Sequence, residues 1–335
     1  MNYLVAPILY KGSCFNDIVS GLLYSAKNLG VEFTSMPFVY GELNRFGLEN
    51  PNEYIKHSLE KIDFLRRNLK NGDKLLMVDF FFPGMDLLEF FLQRKNIKVF
   101  KVALVHGGTF VSGDLYGTFN WLYNFESGWL DIFDLLICPS KFFVKNLPRK
   151  YMGKVKIYPW GLNMDINKVT NEKSIDVVFP HRFAYDKGVF DLFKIIKRMP
   201  HVNFVLTGLS NNVIIDLPRD LKVVFLALKK MANVKILPME SESQHRKTLK
   251  SSKIVLSTAR QEGFGYSVFK SIQCGAIPVL PNRCCYPEFF PKKYLYNSLE
   301  DAIFLIDKFI KRFPLDYYDI DNKKFNFDKI IKHFK

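Results

Sequence analysis

The sequence predicts an α/β protein of two doubly wound, Rossmann-like domains facing each other across a cleft. Three observations carry this. Short apolar runs alternate with amphipathic stretches along most of the 335 residues. Strands alternating with helices imply parallel sheets joined by right-handed crossovers. The alternation pauses at the polar stretch KVTNEKS, residues 168–174, and then restarts. A chain of this length accommodates two domains of ordinary size. The expected division is 1–165 for an acceptor-side domain and 175–313 for a ligand-binding domain. Residues 314–335 are expected as a tail that packs back on the first domain.

Taken in order, NYLVAPILY (2–10) reads as a strand and FNDIVSGLLYSAKNLG (15–30) as a helix ended by Gly30. VEFTSMPFV (31–39) is a second strand. In residues 52–73, Ile55, Leu59, Ile62, Leu65 and Leu69 recur at helical spacing. Lys61, Arg66 and Lys70 fall largely off that stripe, and Asn71–Gly72 stops the helix. KLLMVDFFF (74–82) and KVFKVALVH (98–106) are buried strands. A short strand lies within Leu130–Ser140, and KVKIYPWG (154–161) closes the half. The second half repeats the pattern with strands at 175–181, 202–208, 234–239, 253–259 and 276–281. Helices are expected in KGVFDLFKIIKRM, SQHRKTLKSS, YSVFKSIQCG and DAIFLIDKFIKRF.

Composition narrows the class. The chain is 48% hydrophobic with 33 Phe and 16 Tyr, which suits a packed core and argues against disorder. The net charge of +15 favours a polyanionic partner, such as nucleic acid, an anionic membrane face or a phosphorylated ligand. A lysine-rich proteome with no special partner accounts for it equally well. The five cysteines are Cys14, Cys138, Cys274, Cys284 and Cys285, with no CxxC pair. This is neither a zinc pattern nor a disulfide framework, and fits a reducing, cytoplasmic setting. No metal site is expected. The N-terminal apolar run is short and lacks a basic leader, so it reads as a strand. No run reaches the roughly 18 apolar residues that cross a bilayer, which leaves peripheral membrane contact open.

In open parallel sheets ligands sit beyond the carboxyl ends of the strands. The most informative such loop is RQEGFGYS, between the strand KIVLSTA and the helix YSVFKSIQCG. Gly263 and Gly265 let backbone N–H groups come close to a ligand. The helix tip that follows favours phosphate, and Ser267 adds a hydroxyl. Glu262 repels phosphate but accepts from hydroxyls. Phosphate plus hydroxyls point to a nucleotide, a sugar phosphate or both. An ordinary strand–loop–helix turn with an exposed glutamate is the plain alternative, since a lone GxG is weak.

The sequence E-G-F-G-x-S, then a helix, then C-G-A-I-P-V-L resembles the signature of GT-B fold, retaining nucleotide-sugar glycosyltransferases of the family 4 type. Glu262, Gly263, Phe264, Gly265, Gly275, Pro278 and Val279 match. The family has a second glutamate eight residues after the first, which holds the ribose; here that position is Lys270. FPHRFAYDKGVFDLF (179–193) resembles the family's arginine and K-G pair, which implies that Arg182 and Lys187 clamp the diphosphate. PNRCCYPEFFP (281–291) and FPHR are similar to the group that mannosylates queuosine in tRNA. The likeness covers most of residues 98–291.

What the resemblance implies is a metal-independent transferase with no cofactor, its donor a UDP- or GDP-linked sugar. Expected donor contacts are Gly12, Ser13, Arg182, Lys187, Gly263, Phe264, Gly265, Tyr266, Ser267 and Lys270. Glu262 and His106 would orient the sugar, with Asp114 and the loop DFFFPGMD (79–86) toward the acceptor. The acceptor is a hydroxyl on a nucleic-acid base in DNA or tRNA, or a lipid-linked or cell-envelope glycan. A nucleic-acid-binding protein with a degenerate sugar site is the reading from another class.

Overall fold

The structure is a computed structural model that describes residues 1–10, 14–41, 51–111, 121–162, 173–209, 217–238, 242–321 and 324–335. It divides into two compact units. One is Met1–Asn163 with Asn322–Lys335, and the other is Met164–Asp321.

In the first unit the strands are β1 (Asn2–Val5), β2 (Leu9–Tyr10), β3 (Thr34–Ser35), β4 (Tyr40–Gly41), β5 (Lys74–Met77), β6 (Phe100–Leu104), β7 (Leu135–Cys138) and β8 (Val155–Ile157). Among the described residues, six form a parallel sheet in the order β3-β1-β5-β6-β7-β8, and β2 pairs with β4 apart from it. The central strands are continuous apolar runs because helices cover both faces. Leu75, Leu76, Val102, Ala103, Leu136 and Ile137 are almost wholly buried. The chain leaves β1 in one direction to reach β3 and returns to the other side as β5. The β1–β5 boundary is therefore the topological switch point of this sheet.

Two features depart from simple patterning. Helices at Met85–Arg94 and Leu122–Ile132 fill the crossovers. The helix Pro51–Asn68 turns a different face inward from the one its apolar spacing marks. Ile55 and Leu59 are more than half exposed, while His57, Ser58 and Lys61 are buried. From Leu65 onward the apolar positions face the core as expected.

The chain's last residues belong to the first unit. The Phe327 ring occupies the space over Gly21 and Gly161, where an added Cβ would come within 2.4 and 2.2 Å of it. Asn2 Nδ2 donates to the Phe334 carbonyl at 3.0 Å, and Ile330 and Ile331 are fully buried. Residues 314–321 group instead with the second unit.

The second unit contains β9 (Ile175–Phe179), β10 (Phe204–Leu209), β11 (Val234–Pro238), β12 (Ser252–Leu256), β13 (Ile277–Pro281) and β14 (Leu295–Tyr296). They form a parallel sheet in the order β11-β10-β9-β12-β13-β14. Its switch point lies between β9 and β12. Helix Val189–Arg198 buries Leu192, Ile195 and Ile196 against the sheet, and helix Leu299–Arg312 buries Ile306 and Phe309. Ser298 and Asp301 form a capping box that fixes the start of the latter helix. Helix Arg219–Lys229 is a further crossover that sequence patterning passes over.

Candidate active site

The switch point of the second sheet brings together the loop after β9 and the loop after β12. Gly188, with φ +66°, allows the closest approach. A Cβ there would stand 2.1 Å from the Thr258 carbonyl oxygen. The loops are then stitched by backbone bonds. Arg260 N–H donates to the Asp186 carbonyl at 2.7 Å and Gln261 N–H to the same oxygen at 3.1 Å. Thr258 Oγ1 donates to the Lys187 carbonyl at 2.7 Å.

Four charged side chains meet across this seam. Lys187 Nζ lies 3.1 Å from Glu262 Oε2 and 3.2 Å from Asp186 Oδ2, and also donates to the Gln261 carbonyl at 3.0 Å. Arg182 Nη2 donates to Asp186 Oδ2 at 2.8 Å. Burial works against the Lys187 charge, but the Glu262 and Asp186 carboxylates outweigh it and hold its pKa above the ordinary lysine value. The geometry thus places Arg182, Lys187 and Glu262 in one constellation.

Beside them stands His181, which the sequence reading leaves out. It is buried, with Nδ1 3.3 Å from Ser267 Oγ and 3.9 Å from Glu262 Oε2. Burial, helped by the Lys187 charge, pushes its pKa down to about 3, so the ring is neutral at physiological pH. Nε2 has no hydrogen-bond partner. The least costly tautomer puts the proton on Nδ1, since an unpaired N–H is the more expensive orphan. Ser267 Oγ then accepts from His181 and keeps its own proton for a ligand.

The helix Tyr266–Gln273 starts from Gly265, whose φ of +92° is accessible to glycine. Its N-cap, being glycine, brings no side chain to cap the helix. A Cβ at Gly265 would meet the Tyr286 ring at 3.3 Å. The side chain of Phe264 is buried among Tyr266, Phe269 and Phe289, with ring centroids 4.9, 4.9 and 5.5 Å away. Its geometry is that of an anchor for the loop. Tyr266 is also largely buried, so the loop offers a ligand its backbone more than its rings. Lys270 sits further along the helix, half-buried. Its charge bears on the Cys274 thiol together with those of Arg246, Lys173 and Lys250, although burial still raises that thiol's pKa.

The segment after β13 braces the whole arrangement. Arg283 Nε donates to the Ala259 carbonyl at 2.8 Å and Nη2 to Thr258 at 2.9 Å. Tyr286 Oη lies 2.8 Å from Ser257 Oγ, and Cys285 N–H donates to the Glu262 carbonyl at 3.3 Å. Sequence reasoning misses Asp186, His181 and Arg283. Only Asp186 leaves a local signal, its i, i+4 spacing from Arg182.

In the first unit His106 follows β6. Its Nε2–H donates to the Val78 carbonyl at 2.7 Å, and its ring lies 4.8 Å from Phe15 and 4.9 Å from Trp160. Burial lowers its pKa to about 4, so it too is neutral. The next turn is held by the buried Glu126 carboxylate, which accepts from Thr109 N–H at 2.7 Å and from the Thr109 hydroxyl. Gly12, Ser13 and Asp114 lie outside the described residues. No group of His, Cys, Asp and Glu that suits a metal ion occurs among the described residues. No helix among them is long and apolar enough to cross a membrane.

Comparison with known proteins bears on the family and the fold. Residues 164–297 match the family described as Glycosyl transferases group 1. The tRNA-queuosine alpha-mannosyltransferase of Drosophila melanogaster is 32% identical over 133 residues, which are 38% of this chain and 34% of that protein. The matched region thus spans about a third of the curated relative. Sucrose-phosphate synthase from Thermosynechococcus elongatus superposes with a TM-score of 0.71 at 12% identity, covering 99% of this chain and 97% of that one. A glycosyltransferase from Rickettsia africae does so with a TM-score of 0.61 at 15% identity, covering 99% and 93%. The chain therefore has the GT-B fold of glycosyltransferases, is similar over residues 164–297 to the group 1 family, and is similar over 38% of its length to the tRNA-queuosine alpha-mannosyltransferase.

Proposed function

We propose that the protein is a retaining glycosyltransferase that moves a sugar from a nucleoside-diphosphate donor, UDP- or GDP-linked, to a hydroxyl on a modified base of tRNA. The observation that carries the reading is the Arg182–Lys187–Glu262 constellation beside a helix start whose N-cap is glycine, at the switch point of a domain that matches group 1 transferases. Arg182 and Lys187 provide fixed positive charge where a leaving diphosphate gains negative charge. Ser267 and the first N–H groups of helix Tyr266–Gln273 add neutral donors. Glu262 accepts from sugar hydroxyls. Ion pairing to Asp186 and Glu262 keeps both cations placed before the donor arrives, so little reorganisation is needed.

The net charge of +15 and the similarity to a tRNA-modifying enzyme support tRNA as acceptor. A DNA base or a lipid-linked glycan is the competing acceptor. Donor choice is tested by a thermal-shift panel of UDP-, GDP- and dTDP-sugars, because a ligand that binds the folded state raises Tm by mass action. Acceptor class is tested by affinity for tRNA, duplex DNA and anionic vesicles over a salt series. The reading expects tRNA affinity to fall steeply with salt. Preference for vesicles over tRNA would replace the nucleic-acid acceptor with the glycan.

A further inference from the structure

A row of side chains follows the carboxyl edge of the second sheet, organised by the first turn of helix Val189–Arg198. At one end is Tyr185, whose ring stacks on Phe190 with centroids 6.2 Å apart and an interplanar angle of 26°. Its hydroxyl donates to Asp220 Oδ1 at 2.5 Å, so the ring is fixed from two sides. The residue is still 48% exposed. At the other end Arg260 and Arg283 converge on Asp191, the residue after Phe190. Their Nη2 atoms lie 3.7 and 3.9 Å from Asp191 Oδ2, and their side chains are 58% and 43% exposed.

The two arginines differ in what they have left to give. Arg283 is committed to the Ala259 and Thr258 carbonyls. The Arg260 backbone is fixed, since its N–H donates to the Asp186 carbonyl at 2.7 Å. Its guanidinium, however, makes no hydrogen bond among the described residues, and its approach to Asp191 is longer than hydrogen-bond distance. A planar fork of five N–H donors is thus open to a ligand. Two guanidinium groups share one carboxylate, which leaves the pair with surplus positive charge. Exposed ion pairs of this kind add little to stability.

The chemistry narrows the partner. An open guanidinium fork matches phosphate. A tethered, half-exposed ring suits stacking of an unpaired base, and aromatic rings beside arginines hold single-stranded nucleic acid. A paired helix stacks its bases on one another and offers none to Tyr185. An anionic membrane fits less well, because a uniformly negative surface would also meet Asp191 and Asp220. In a nucleic-acid strand the phosphates are separated by bases, whose N–H groups can donate to those carboxylates.

We propose that Tyr185, Arg260 and Arg283 form a ledge that holds an unpaired segment of the acceptor RNA, with the arginines on backbone phosphate and the tyrosine under a base. This rests on the reading that the acceptor is tRNA. The ledge adjoins the diphosphate clamp through Asp186, whose carbonyl accepts from Arg260 and whose carboxylate faces Arg182 and Lys187. A strand held on it is presented beside the donor.

The test uses the full chain with Arg260→Gln and Tyr185→Ala. Fluorescence anisotropy over a salt series follows binding to tRNA, to an RNA hairpin with an unpaired loop, to fully paired RNA and to vesicles of phosphatidylcholine with phosphatidylserine. Sugar transfer to tRNA, Tm and the affinity for UDP and GDP are measured in parallel. Both variants should keep a Tm close to wild type, because both side chains are exposed, and should keep nucleotide affinity. Arg260→Gln should weaken both tRNA and hairpin, and lower the slope of log affinity against log salt by about 0.7–1. Tyr185→Ala should weaken the hairpin about fivefold or more with the slope unchanged, and remove its advantage over paired RNA. Unchanged RNA affinity and slope in Arg260→Gln, or unchanged hairpin affinity in Tyr185→Ala, would overturn the ledge and leave the tRNA reading standing. No RNA affinity in wild type would overturn both. Binding to vesicles in place of RNA, lost in Arg260→Gln, would assign the ledge to a membrane and overturn the proposal. RNA binding that depends on both side chains, in a protein that transfers no sugar, would sustain the ledge and sink the transferase reading instead.

Discussion

Lys187 Nζ lies 3.1 Å from Glu262 Oε2, so one short contact joins the loop after β9 to the loop after β12. Both side chains are largely buried, at 13% and 15% exposure. Removing one partner leaves the other charge poorly compensated, although Asp186 still faces Lys187. Glu262→Gln is expected to cost about 1–3 kcal/mol, and Lys187→Met a similar amount. The double variant should cost less than the sum of the two, as measured by urea unfolding. The pH sign follows from the raised Lys187 pKa. Its contribution is fully present below the ordinary lysine value of about 10.4 and is lost as pH rises through the higher folded value. The stability gap between wild type and Lys187→Met should therefore close only in strong alkali.

Three buried histidines make the fold sensitive to acid. Burial lowers His57 and His106 to about 4 and His181 to about 3. Each is neutral when folded and takes a proton when unfolded below about 6.5. The unfolded state then binds more protons, so stability falls as pH drops from about 6.5 toward 3. Urea midpoints at pH 7, 5.5 and 4.5 should decline steadily. His181→Phe should reduce that slope, and a slope identical to wild type would mean that His181 is not buried neutral.

Gly188→Ala is expected to separate the two loops. Its Cβ would collide with the Thr258 carbonyl at 2.1 Å, at a φ of +66° that alanine rarely adopts. The cost should exceed about 2 kcal/mol, since a rigid backbone atom must move. Affinity for nucleoside diphosphates should fall with it, as read by calorimetric titration.

Phe264→Ala should destabilise by about 3–5 kcal/mol, because a buried ring packed on three others is lost. Phe264→Leu should retain most of the stability and of the donor affinity. If Phe264→Leu kept its Tm but lost donor binding, the ring would be a ligand contact.

Most of the strands are legible because buried parallel strands are unbroken apolar runs such as KLLM and LLIC. The loop after β12 is legible because Glu262, Gly265 and Ser267 lie within six residues. Asp186 and Arg283 are less so, since their roles depend on which loops the sheet order brings together. His181 reads as one more polar residue until its burial is known. The inward face of Pro51–Asn68 is misread because apolar spacing assumes that a helix buries its apolar side, and here His57 and Lys61 are buried instead.

The central claim is that the second unit grips a diphosphate with Arg182 and Lys187. Calorimetric titration of UDP and GDP into wild type and Arg182→Met tests it most directly. The account predicts binding of at least one of them in wild type, weakened tenfold or more in the variant. Equal affinity in both proteins, or no heat with either nucleotide, would contradict it.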